Sequence, residues 1–239
     1  MKDLINFALR PKICLENKTT HKNIIVRNII IFLINLFLTI LGSILITFVV
    51  AKFDISSNYI SQHLQYISIL ILGLINYLIM PFMEELKYRL FLIFKPVNIS
   101  ITFFIVSFSI ISLLNKSSIF EFDRFFLPKF ISSILIGISV FLVLNRELRI
   151  RDFFEKVWIK YFKYFFYFSV LIFGISHLNK YSLSPGIYFL SPLLIAPQLI
   201  SGTIWGYVRV KYGIFWSTLH HIIHNLCFYI PLLLLQHFF

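Results

Sequence analysis

Three stretches of this chain combine residues that can move protons with spacings that put them on shared helix faces. The first holds adjacent carboxylates, Glu84 and Glu85, with Arg89 four residues after the second. The second ends on His177, four residues after Phe173. The third holds His220, His221, His224 and Asn225. A carboxylate and an imidazole can take the proton of a water attacking a carbonyl, and positioned donors can stabilise the oxyanion that forms. Glu84, His177 and His221 also make up one carboxylate and two imidazoles, a ligand set suited to catalytic zinc. The residues leave the cofactor open: one divalent metal such as zinc, or none.

All three stretches lie in apolar surroundings. The 239 residues are 59% hydrophobic and only 13% charged, with a mean hydropathy of +0.86. Soluble domains carry about 25% charged residues, so a water-soluble globular fold is excluded. Disorder is excluded as well, because this much apolar surface would not stay solvated. Two cysteines do not make a disulfide framework. Apolar runs predict about seven membrane spans: Asn28–Ala51, Leu64 to Phe94, Val97–Asn115, Phe126–Leu144, Tyr164–Leu178, Ile187–Val208 and Gly213 to Gln236. The expected fold is an all-α, polytopic transmembrane helical bundle. Residues 1–27 read as a cytoplasmic N-terminal tail and 28–239 as a single transmembrane domain.

The net charge of +12 is spread between apolar runs, not gathered in one patch, which argues for membrane topology and against a nucleic-acid partner. With the N-terminus cytoplasmic, seventeen Lys and Arg flank the spans inside and five outside. That asymmetry predicts a multi-pass protein of the cell membrane with its N-terminus in the cytoplasm. The segment Asn145–Lys163 mixes charges with Trp158, Tyr161 and Phe162 and reads as an interfacial helix.

Among the ten acids only Glu84 and Glu85 fall within an apolar span, and ionisable groups there mark functional sites by default. At about 1.5 Å of rise per residue, Glu84, His177, His221 and Asn225 come to similar depths on three spans, as expected of a shared wet cavity. Residues four apart share a helix face, whereas adjacent ones diverge by about 100°. Glu85 therefore pairs with Arg89, and Glu84, turned away from that arginine, is the candidate base. Pro81 can kink the helix just before the site. His221 shares a face with Asn225, and His220 with His224.

Glu84-Glu85-x-x-x-Arg89, Phe173-x-x-x-His177 and His221-x-x-x-Asn225, in this order on separate spans, resemble the three-motif signature of the CPBP family, the CAAX-type proteases and bacteriocin-processing enzymes also called Abi. Phe-Gly-Ile-Ser-His-Leu-Asn around His177 matches as well, and the resemblance covers about Ile75 to Cys227. It departs at Leu90, where many members have Gly. The resemblance implies a CAAX protease-like bundle of membrane helices that hydrolyses a peptide bond in a peptide or membrane-associated protein substrate. In that reading Glu84 and His177 activate water, His221 and Asn225 stabilise the oxyanion, and Glu85 and Arg89 support the site. The family includes members described as metalloproteases and as glutamate-dependent enzymes.

Two rival readings stand beside an intramembrane endopeptidase. One is a non-catalytic bacteriocin-immunity or scaffold protein that retains the motifs; the other is a proton-coupled carrier using the acids and histidines as a relay. His220 and His224 read as polar packing or cavity lining. Trp158, Trp205 and Trp216 read as interfacial anchors or core, and Pro192, Pro197 and Pro231 as kinks. Substrate identity and oligomeric state are not encoded in these patterns.

Overall fold

The computed structural model describes residues 2–13, 21–57, 73, 75–116 and 124–238. The chain begins with α1 (Lys2–Leu9) and α2 (His21–Lys52). A π-helical turn (Ile75–Ile79) leads into α3 (Met80–Tyr88), which passes into a 3₁₀ turn at Leu90–Leu92. A helical hairpin follows, α4 (Pro96–Leu114) with α5 (Phe126–Arg146), and then α6 (Leu148–Lys160) and α7 (Phe162–Ile175). The remainder is a 3₁₀ turn (Pro185–Leu190), α8 (Ser191–Leu194), α9 (Ala196–Tyr212) and α10 (Ile214–Phe238). The described strand content is one antiparallel pair, β1 (Ser56–Ser57) with β2 (Tyr181–Ser182).

Among the described residues, four segments are long and apolar enough to cross a membrane: Asn23–Lys52, Pro96–Leu114, Phe126–Arg146 and Pro185–Tyr212. A fifth arises if α6 and α7, bent by 76°, count as one span. Hydropathy had indicated seven. The difference lies in three of the seven runs; the last of them, Gly213 to Gln236, is the helix α10, whose side chains beyond Pro231 lie outside the described residues. The apolar run Leu64 to Phe94 lies partly outside the described residues, and its described part ends as a helix at Tyr88. The fifth run is only the 14-residue α7. It follows the amphipathic α6, none of whose residues is fully buried, as expected for an interfacial helix.

The bundle buries polar side chains beside an apolar core and exposes many large apolar ones. On α2, Asn28, Ile31, Asn35, Thr39 and Ile46 are buried, a stripe with a spacing of three, four or seven residues, while Leu33, Phe37, Leu41 and Phe48 are exposed. Lipid does not reward burying apolar side chains, so helix association relies on close packing and polar contacts. The central helix α9 shows the packing term. Gly202 and Gly206 face α7, where an added Cβ would stand 3.1 Å from Cδ1 of Phe173 and 2.6 Å from Cε2 of Phe166. This small-x-x-x-small spacing brings α7 against α9.

Two helices begin within the described part of the first 27 residues. Helix α1 buries Leu4 and Phe7, with the Phe7 ring against Phe166 and Tyr207 at 5.1 and 5.2 Å, and α2 already begins at His21. Lys129, the charge within the fourth predicted span, is 1% exposed; its Nζ lies 5.6 Å from the Phe108 ring and 5.7 Å from the Phe126 ring. The prolines also differ from expectation. Pro192 and Pro197 start α8 and α9 and do not kink them, because the first helical turn needs no proline N–H. Pro231 alone of the three lies inside a helix.

Candidate active site

Helix α3 is short, and its ends explain the position of both carboxylates. Pro81 occupies the first turn, directly after the π-helical Ile75–Ile79; such stretches re-aim the residues that follow. At the other end the chain leaves helical geometry at Arg89, with φ −127°, and is extended by Ile93. A helix that stops inside a bundle exposes carbonyls that need donors. Three other helices provide them. Thr102 Oγ1 of α4 donates to Leu86 O at 3.2 Å, and Ser169 Oγ of α7 donates to Tyr88 O. Arg209 of α9 donates from Nε to Arg89 O at 3.1 Å and from Nη2 to Leu90 O at 3.0 Å. Arg209, counted above among the cytoplasmic flanking charges, is a buried side chain tying α9 to the end of α3.

The two carboxylates then part. Glu85 is fully buried, with Oε1 2.6 Å from Nη1 of Arg89, itself 1% exposed. Ser217 Oγ donates to Glu85 Oε2 at 2.5 Å, and His221 Nδ1 lies 3.0 Å from Oε1. Glu84 keeps 23% of its side chain exposed, and its Oε2 lies 3.5 Å from His221 Nε2. One imidazole thus spans both acids, its Nδ1 towards the buried one and its Nε2 towards the accessible one.

Aromatic rings set the angles. His221 stacks on Trp205 with centroids 3.9 Å apart and planes 21° apart. Phe173 meets the His221 ring edge-on at 5.9 Å, the Trp205 ring at 5.9 Å and the His177 ring at 4.7 Å. The Arg89 guanidinium sits 4.2 Å from the centroid of Phe173 and 5.2 Å from that of Trp205. Trp205 is therefore core, at the centre of the site. His177 lies just beyond α7, which ends at Ile175, so it occupies a turn and not the helix that hydropathy assigned to it. Its Nδ1 donates to Phe173 O at 2.8 Å, which places the ring proton on Nδ1 and leaves the Nε2 lone pair free. This bond gives the Phe-x-x-x-His spacing a physical meaning.

The remaining sequence candidates separate by helix face. Asn225 lies one turn beyond His221 on α10 and is half-buried. His224 and His220 turn towards α2: His224 Nε2 is 2.8 Å from Thr39 Oγ1, and the His220 ring meets Phe32 at 5.8 Å. Because the Thr39 hydroxyl donates to Asn35 O at 2.6 Å, the imidazole of His224 is the donor to Thr39. These contacts are interhelical packing. Three residues were not read from the sequence as part of the site. Ser217 stands four residues before His221, a spacing that was available as a signal. Arg209 was read as a flanking charge and Trp205 as an anchor or core residue.

Glu84, His177 and His221 are the residues that would form a metal-ligand set. Among the described residues no three His, Cys, Asp or Glu groups come together as a metal-holding cluster. The donors as arranged do not fit a three-residue cage, so no step below is routed through a metal.

A family model described as Type II CAAX prenyl endopeptidase Rce1-like matches residues 66–227. No curated protein and no solved structure matches the chain.

Proposed function

Because the chain belongs to the Rce1-like family of type II CAAX prenyl endopeptidases, within the CPBP family, we propose that it is an intramembrane endopeptidase whose water is activated by Glu84 and His177. The observation that carries this reading is the division between the two adjacent acids. Glu85 is sealed by Arg89, Ser217 and His221, whereas Glu84 remains accessible and faces the other nitrogen of His221.

In this reading the Glu84 carboxylate accepts a proton from a water that the free His177 Nε2 helps orient. The oxygen bonds to the scissile carbonyl carbon, and negative charge collects on the carbonyl oxygen. His221 and Asn225 serve that oxyanion, as the family resemblance implies. The proton held by Glu84 then passes to the departing amine nitrogen as the C–N bond breaks. Glu85 and Arg89 never touch substrate; they hold His221 at its angle. The substrate is a peptide or membrane-associated protein, and the protein resides in the cell membrane with its N-terminus in the cytoplasm.

The test compares peptides released from membranes of cells carrying wild-type protein or Glu84→Gln. Loss of specific products with normal insertion of the variant is expected, whereas identical peptide patterns would overturn the assignment. The same membranes treated with a divalent-metal chelator are expected to keep their activity. Abolition by chelation and recovery with zinc would overturn the metal-free mechanism.

A further inference from the structure

Away from the acids, a cavity of about 280 Å³ opens where α1 and α2 meet the end of α9. Its volume is several times the roughly 30 Å³ that a water molecule occupies in the liquid. Lys2, Arg27 and Lys211 line it, against a single acid among the described residues, Asp3. The acid is already neutralised: Lys211 Nζ donates to Asp3 Oδ2 at 3.2 Å. Lys211 also donates to the Tyr207 hydroxyl at 2.9 Å. An ammonium has three hydrogens, so one remains, and Tyr207, accepting with its oxygen, keeps its own O–H for an acceptor. Lys2 and Arg27 are exposed and make no ion pair among the described residues. Such a cluster of donors and positive charge calls for an anion.

The opposite wall identifies its source. Ile30 and Ile34 also line the cavity, three and seven residues after Arg27 and on the same face of α2. This helix belongs to a candidate membrane span, Asn23–Lys52, and Ile30 is 48% exposed. The cations therefore stand at one end of an apolar track into the hydrocarbon layer. A free inorganic anion has no use for that track, whereas an amphiphile does. Basic pockets between helices at a membrane surface suit anionic lipid headgroups.

We propose that the cavity formed by Lys2, Arg27, Tyr207 and Lys211 binds the phosphate headgroup of an anionic phospholipid whose acyl chain runs along Ile30 and Ile34 of α2. Occupancy would clamp α1 to α9, the helix that carries Trp205 and Arg209 of the candidate active site.

The experiment uses the full chain in a neutral detergent, with lipid retention read by native mass spectrometry and unfolding temperature by thermal shift. Phosphatidylglycerol, phosphatidylcholine and inorganic phosphate are compared. Phosphatidylglycerol is expected to be retained and to raise the unfolding temperature, and the other two are not. Each cation near such a headgroup contributes about fivefold, so Lys2→Gln with Arg27→Gln should weaken binding about 25-fold, while Lys2→Arg with Arg27→Lys should keep it. Should the doubly neutralised protein fail to fold, Arg27→Gln alone is expected to weaken binding about fivefold. Equal retention of phosphatidylcholine, equal stabilisation by inorganic phosphate, or undiminished phosphatidylglycerol binding by the glutamine variants would each overturn the proposal.

Discussion

His221 Nδ1 of α10 lies 3.0 Å from Oε1 of Glu85 on α3, inside the bundle and out of reach of solvent. The contact orients the imidazole so that its Nε2 faces Glu84. Glu85 is the hub of this arrangement, because Arg89 shares Oε1 with the imidazole and Ser217 donates to Oε2.

Ser217→Ala removes a donor from a buried carboxylate. Hydrogen bonds to charged groups contribute about 1.5–3 kcal/mol, so the unfolding midpoint in detergent should fall accordingly. Cleavage should fall less than in Glu84→Gln, and Ser217→Thr should recover most of the loss. An unchanged midpoint for Ser217→Ala would remove Ser217 from the account.

Arg89→Ala leaves Glu85 as an uncompensated buried charge, which costs about 3–5 kcal/mol. Arg89→Lys keeps the charge but loses the planar group that sits over Phe173 and Trp205. Yield and detergent stability should therefore rank wild type, then Lys, then Ala. Equal stability of the two variants would contradict the pairing.

Gly206→Ala places a methyl 2.6 Å from Cε2 and 3.2 Å from Cζ of Phe166. Overpacking of this kind costs about 1–3 kcal/mol. Trimming the ring in a Gly206→Ala, Phe166→Leu double variant should restore part of that stability. A double variant no better than the sum of its parts would show that the two residues do not meet.

Asp3 ties α1 to α9 through Lys211, whose hydrogen bond and then its charge hold the Asp3 carboxyl below its ordinary 3.8. A carboxyl depressed in the folded state contributes its stability above the unfolded value, and that contribution disappears as pH falls through the lower folded value. Asp3 is 72% exposed, so solvent screening limits the effect to about 1 kcal/mol or less. Protection factors of the α1 amides, referred to the intrinsic exchange rate at each pH, should therefore fall below pH 4, and by less in high salt, which already screens the pair. Asp3→Asn should show the lower protection at all pH values; an acid response equal to wild type would exclude this pair as its source.

The chain's primary structure was sufficient to mark the polar cluster and the apolar surroundings that hold it. Charged groups are so costly in an apolar run that Glu84, Glu85, His177 and His221 stood out without coordinates, and the four-residue helix period predicted the Glu85–Arg89 pair that the structure contains. Family membership followed from the same motifs. Where helices stop, and what satisfies their ends, was decided by tertiary structure. Hydropathy ran through Arg89 because Leu90 to Phe94 are apolar, yet α3 ends there and receives donors from Thr102, Ser169 and Arg209 on three other helices. His177 likewise lies past the end of α7. Hydropathy measures the preference of each residue for lipid over water. Backbone hydrogen bonds are completed between segments far apart in the chain, so Ser217, Trp205 and the docked α1 acquire their roles only once the bundle has closed.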